Sequence, residues 1–251
     1  MRCEVAFSHR EVPLRSEDLA EGKRGEIRAV VIDVLRATTT VVAALAAGCE
    51  ALYPLREVEE ARELAARLRE AHGKDRVLLG GEKGGRPIPG FDLGNSPREY
   101  TPGRVEGRHV VLTTTNGTQT IAAASGVGAG EVLLASFANL RAAACHLARG
   151  EGPFLIACSG RKGGYSEEDA VAAGLLVEAA AGSSPLELGD SGRAALAVAR
   201  AYEGDLGHLL RTCQWGRYLA GLGLEEDLAF CARRDWTEVV PTLKEGAIRP
   251  S

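Results

Sequence analysis

Four segments of this 251-residue chain combine acids, cations and neutral donors closely enough to do chemistry. In VVIDVLRATTT (30–40), an apolar run delivers Asp33, then Arg36, then three threonines. A carboxylate at that point suits a hard cation, and the arginine beside it suits an oxyanion. An ion pair between the two, with Thr38–Thr40 capping the next helix, is the competing structural reading. In GGEKGGRPIPGFDLGNSP (80–97), Glu82 and Asp92 could hold a metal or position a water. Lys83 and Arg86 are flanked by glycines that let backbone approach a ligand, and Asn95 and Ser96 add neutral donors. In TTTNGT (113–118), Thr114, Thr115, Asn116, Gly117 and Thr118 would form an anion cradle at a helix amino terminus. In CSGRKGGYSEED (158–169), Ser159, Arg161 and Lys162 precede Glu168 and Asp169. Ser166 and Asp169 there have capping-box spacing, which offers the acids a purely structural role.

All four segments fall at places where an apolar strand would give way to a helix or a long loop. Strands are expected at 2–7, 28–33, 51–55, 76–79, 109–113, 131–135 and 153–157, with a last one at 238–240 stopped by Pro241. Helices are expected at 37–47, 57–71, 117–124, 139–149, 166–181, 190–200, 205–219 and 225–233. The alternation implies an α/β fold: a layered α/β/α arrangement with a largely parallel or mixed sheet and a helical carboxyl-terminal part. It would form one domain spanning residues 1–251, or two lobes dividing near residue 125. In a parallel sheet the four junctions would emerge on one edge, where open α/β sheets bind ligands. Converging carboxylates, arginine and lysine there form the composition of a Mg²⁺-assisted phosphoryl site.

Composition narrows the alternatives. A formal charge of −4 and a pI near 5.8 argue against a nucleic-acid or membrane-surface partner. No apolar run is long enough to span a bilayer, and residues 1–13 lack the features of a signal peptide. The six cysteines form no C-x-x-C pair, so a reducing cytoplasm is the simplest setting. P-loop, G-x-S-x-G and H-E-x-x-H signatures are absent, Asp33 lacks the second acid of an Asp-x-Asp phosphatase, and Cys158 lacks the arginine of a thiol phosphatase. The five histidines lie outside the four segments and read as structural.

With all four segments in view, the sequence resembles the 2-phosphosulfolactate phosphatase family. IDVLRATTT, GGEKGGRPIPGFDLGNSP, TTTNGT, CSGRKGGYSEEDAVAAG and the carboxyl-terminal EEDLAFCARRDWTEVVP (225–241) carry the likeness. RTCQWGRYLAGLG (211–223) departs from the family pattern, which more often has a Ser-x-x-Gly run there. The resemblance implies Mg²⁺-dependent hydrolysis of 2-phosphosulfolactate to 3-sulfolactate and phosphate, a step of coenzyme M biosynthesis in methanogens. On that reading Asp33 and Glu82 hold Mg²⁺, with Glu168 or Asp169 completing the shell. Arg36 and the Thr113–Thr118 cradle bind the phosphoryl group; Lys83, Arg86, Arg161 or Lys162 bind carboxylate and sulfonate. Attack by water and covalent catalysis through Asp33 both stay open. So do a phosphatase for another small phosphorylated acid, a non-catalytic sensor of a polyanionic metabolite, and a homo-oligomer.

Overall fold

The structure is a computed structural model that describes residues 1–20, 24–202 and 204–251. Strands β1 (Arg2–Ala6), β2 (Arg28–Ile32), β3 (Ala51–Leu55), β4 (Val77–Lys83) and β5 (Arg86–Pro87) are followed by β6 (His109–Thr113), β7 (Glu131–Ala135), β8 (Phe154–Cys158), β9 (Glu187–Leu188), β10 (Pro241–Lys244) and β11 (Ala247–Pro250). They form one sheet in the order β5-β4-β6-β3-β11-β10-β7-β2-β8-β1-β9. The helices that matter for the site are α1 (Val12–Ala20), α2 (Ala37–Ala46), α3 (Val58–His72), α4 (Pro102–Val105), α5 (Gly117–Gly126), α6 (Leu140–Arg149), α7 (Glu167–Ala181), α8 (Asp190–Arg200), α9 (Leu206–Thr212), α10 (Gln214–Ala220) and α11 (Glu225–Cys231).

The α/β reading is borne out, with helices dominating after residue 166. Two expected elements differ, and one was not expected. The strand expected at 238–240 instead begins at Pro241 and pairs with β11 as a hairpin. A proline has no N–H to give a ladder, so it stands at the first residue of the strand. The turn runs through Glu245 and Gly246, both with positive φ, the geometry favoured between two antiparallel strands. The helix expected over 205–219 is broken at Cys213, which is extended and whose Sγ accepts the Gly216 N–H (3.3 Å). A helix at 12–20 also exists that the apolar pattern did not indicate.

The sheet contains two parallel sets, β4-β6-β3 and β7-β2-β8-β1-β9, separated by the β10–β11 hairpin. Because β10 is antiparallel to β7 and β11 antiparallel to β3, the two sets run in opposite senses along the ladder. The expected single edge therefore does not exist. Strands rotate by roughly 20–25° per step, so five steps from β6 to β2 accumulate more than ~100° of twist and bring the carboxyl ends of the two sets toward one another. One apolar cluster records this wrapping. Val31 of β2, Leu134 of β7, Leu52 of β3 and Leu112 of β6 join Val41 and Leu45 of α2 and Ile121 of α5. Helices α2 and α5 thus lie between the two sets, and both begin at motif segments.

Candidate active site

Strand β2 is buried along its whole length and delivers Asp33, itself 7% exposed, to the start of α2. The three threonines serve the backbone. The Thr38 hydroxyl accepts the Asp33 N–H (3.0 Å) and donates to its carbonyl (2.9 Å), and Thr39 Oγ1 donates to the Val34 carbonyl (2.9 Å). Thr40 Oγ1 reaches the Asn95 carbonyl (3.0 Å), tying α2 to the 80–97 segment. The Ala37 N–H donates to Asp33 Oδ1 (3.1 Å). Burial pushes the Asp33 carboxyl up to about 7; the Ala37 amide opposes that shift, while the charges of Glu82 and Glu168 add to it.

Glu82 enters from the other parallel set, on β4. Its Oε2 accepts the Gly85 N–H (2.6 Å) and its Oε1 the Thr115 N–H (2.7 Å), so it clasps the 80–97 and 113–118 segments together. Gly117 allows α5 to approach α2 this closely: a Cβ there would lie 2.5 Å from Ala37 Cβ and 3.1 Å from Asp33 Oδ2. Thr118 closes its own turn, its N–H meeting Thr114 Oγ1 (3.3 Å) and its hydroxyl the Thr114 carbonyl (2.8 Å).

Arg36 does not pair with Asp33. It donates to Asp227 Oδ2 (2.7 Å) and to the Gly85 carbonyl (2.8 Å), with both charged side chains almost fully buried. Ser96 Oγ donates to the other Asp227 oxygen (2.6 Å), so Ser96 positions Asp227 rather than facing a ligand. Asp227 is a buried partner of the candidate site that sequence reasoning missed. In Glu225–Glu226–Asp227 it looks like one of three acids at a helix start, and only its 1% exposure sets it apart.

The β8–α7 junction carries the remaining acids. Asp169 does not form a capping box with Ser166, whose hydroxyl does not cap α7. Instead Asp169 Oδ1 accepts the Val34 N–H (2.8 Å) and Oδ2 the Gly160 N–H (3.0 Å), stapling the ends of β2 and β8. Burial is also the main reason that the Asp169 and Glu168 carboxyls titrate above their ordinary range.

Asp33, Arg36, Glu82, Asn95, Thr114 and Asn116 line one narrow cleft, walled by Trp215 of α10 and Leu35. The Trp215 indole N–H donates to the Leu35 carbonyl (2.8 Å), its ring stacks on Tyr218, and the Tyr218 hydroxyl donates to the Gly84 carbonyl (3.1 Å). The segment that departs from the family pattern therefore supplies a wall of the site. Beyond Trp215 a cavity of about 470 Å³ is lined by Thr115, Arg161 and Lys162 together with His9 and Arg10. A third hollow, of about 240 Å³, holds Ser166 and Glu168 beside Arg161.

The four acids expected to share a metal are thus divided. Asp33 and Glu82 line the cleft, Glu168 lines the hollow behind Trp215, and Asp169 lines none of these spaces. Among the described residues no group of three or more His, Cys, Asp or Glu side chains is arranged to hold an ion. One orphaned buried atom does suit one: Asn95 Oδ1, in the cleft. The fully buried Ser159 hydroxyl instead lies beside Asp33 and draws its titration downward. Lys83 and Arg86 are exposed on the β4–β5 hairpin and line none of these spaces. Asp92 is structural: Oδ2 accepts from the Leu79 N–H (2.8 Å) and pairs with Arg69 (3.2 Å).

A family model described as 2-phosphosulpholactate phosphatase matches residues 14–246. A protein of Symbiobacterium thermophilum, named a probable 2-phosphosulfolactate phosphatase, is 43% identical over 231 residues, 91% of this chain and 96% of that one. Proteins with the same name from Caldanaerobacter subterraneus and a Synechococcus strain are 36% and 42% identical over 90% and 85% of this chain, and over 91% and 87% of their own lengths. The chain belongs to the 2-phosphosulfolactate phosphatase family.

Proposed function

We propose that this member of the family is a Mg²⁺-dependent phosphatase that hydrolyses 2-phosphosulfolactate to 3-sulfolactate and phosphate. The observation that carries the reading is the narrow cleft, in which two buried carboxylates from opposite parallel sets, Asp33 and Glu82, face an arginine and an unpartnered amide oxygen. The donor set fits Mg²⁺. Asp33, Glu82 and Asn95 Oδ1 are all hard oxygens, and Mg²⁺ commonly takes one or two carboxylates, substrate phosphate and several waters. When bound, the ion supplies positive charge to the phosphoryl oxygens and acidifies water in the cleft.

The chain's own groups do the rest. Arg36, fixed by Asp227 and the Gly85 carbonyl, keeps guanidinium donors for a phosphoryl oxygen, and Thr114 and Asn116 provide neutral donors beside it. Glu82, held by two backbone amides, orients the attacking water and receives its proton. Attack in line with the ester oxygen breaks the phosphorus–oxygen bond and leaves sulfolactate to take up a proton. Arg161 and Lys162 attract the non-phosphorylated end of the substrate. All six cysteines are free thiols, in keeping with a reducing cytoplasm as the working compartment.

Phosphate release from 2-phosphosulfolactate by the purified protein tests the reading. Turnover should be abolished by EDTA and restored by excess Mg²⁺. Absence of release with Mg²⁺ in excess refutes the phosphatase, and release that survives EDTA refutes the metal dependence.

A further inference from the structure

We infer that the cavity beyond Trp215 is a sulfonate subsite and that Arg10, outside every chemical motif of the sequence, is its specificity-determining residue. The inference rests on the cleft being the phosphoryl site. The cavity gathers three cations and no acid in its lining. Among the described residues, Arg10, Arg161 and Lys162 form no ion pair, and all three line the same space. The carboxylate beside Arg10 in sequence, Glu11, accepts the Phe7 N–H (3.1 Å).

The convergence is built. Arg10 comes from the loop between β1 and α1, whereas Arg161 and Lys162 come from the loop between β8 and α7. Arg10 lies directly on Gly163: a Cβ there would stand 2.3 Å from Arg10 Nε and 2.5 Å from its Cζ, and Gly163 has φ +75°. The glycine thus lets a guanidinium from one loop rest on the backbone of the other. Arg161 is held in turn against the Trp215 ring (5.2 Å to its centroid). His9 adds a buried ring nitrogen, Nδ1, with no partner. Like charges gathered without an acid repel one another until an anion arrives, and Asn116 and Trp215 connect this space to the cleft.

The shape of the charge array selects the group. A planar carboxylate presents two coplanar oxygens and is matched by a single guanidinium fork. A sulfonate presents three oxygens arranged as a tripod, which suits cations arriving from two loops on separate sides. The substrate would therefore lie across Trp215, phosphoryl group in the cleft and sulfonate in the cavity.

Arg10→Met removes the charge and keeps an apolar stem over Gly163, with thermal melting as the check on folding. The variant and the parent are compared on 2-phosphosulfolactate, on 2-phospholactate, which lacks the sulfonate, and on the phosphate ester of 2-hydroxyethanesulfonate, which lacks the carboxylate. KM, or Ki for an ester that is not turned over, should rise roughly 10- to 100-fold for the two sulfonates, the scale of one hydrogen bond to a charged group, and change less than about threefold for 2-phospholactate. Arg10→Lys should recover part of the loss. Equal losses on all three esters, or none, overturn the subsite. Calorimetric binding of 3-sulfolactate separates this failure from that of the phosphatase reading. If the parent protein releases no phosphate yet binds 3-sulfolactate, and Arg10→Met loses that binding, the subsite stands and the phosphatase reading falls. If the parent does not bind 3-sulfolactate, the subsite falls.

Discussion

The narrow cleft and the wide cavity share Trp215 and Asn116 as walls, yet they handle charge in opposite ways. In the cleft, the charged groups have fixed protein partners: Arg36 has Asp227, and Glu82 has two backbone amides. In the cavity, Arg10, Arg161 and Lys162 have no acid, and two of the three come from one short glycine-rich loop. The difference separates two tasks. Chemistry at phosphorus needs donors held in place before the transition state forms, at the expense of burying charges. Recognition of a remote anion needs net positive charge that a ligand can neutralise.

The comparison breaks most sharply at Asp33. Asp33→Asn should lower kcat/KM by about a thousandfold or more, the scale of removing a principal group from a phosphoryl-transfer site. It should also stabilise the metal-free protein. A carboxyl near 3.8 in the unfolded chain and about 7 in the folded one takes up a proton on folding, so metal-free stability falls as pH rises from about 4 to about 7. Thermal melting in EDTA at pH 5 and pH 8 should show that slope in the parent and a flatter one in Asp33→Asn. Asp227→Asn comes next. It leaves the Arg36 charge buried without its counterion, so kcat/KM should fall about 10- to 100-fold, alongside a stability loss of about 3–5 kcal/mol in denaturant titration. Gly117→Ala forces α5 away from Ala37 and Asp33, and steady-state assays should find kcat reduced by about tenfold with folding retained. Smallest of all, Lys83→Ala and Arg86→Ala remove cations that face solvent on the β4–β5 hairpin. Each should change kcat/KM by less than about threefold.

Much of this was legible in the residues. Strand-to-helix alternation gave the α/β layers, and three of the four segments each place a side chain in the cleft: Asp33 and Arg36, Glu82 and Asn95, Thr114 and Asn116. The fourth instead turns Arg161 and Lys162 into the neighbouring cavity. The sheet's sense was not legible, because pairing of the 241–250 hairpin between two parallel sets leaves no trace in local periodicity. Ser166 and Asp169 show the limit of spacing arguments. The pattern fits a helix cap, but two amides from β2 and β8 outbid it for the carboxylate. Asp227 and Arg10 escaped for a related reason: a run of helix-start acids hid one, and a loop without a chemical pattern hid the other. Their roles come from partners far away in sequence, Arg36 and Gly163.

The hairpin also sets an order of assembly. Ribosomes extend a chain from its amino terminus, so both parallel sets are synthesised before the strand pair that sutures them, through Thr242 opposite Leu133 on one side and Ile248 opposite Leu52 on the other. Until residues 241–250 emerge, β3 and β7 each present a bare edge, and contacts of such long sequence separation are slow to form. The nascent polypeptide is therefore most vulnerable to sticking to its neighbours just before translation reaches those residues.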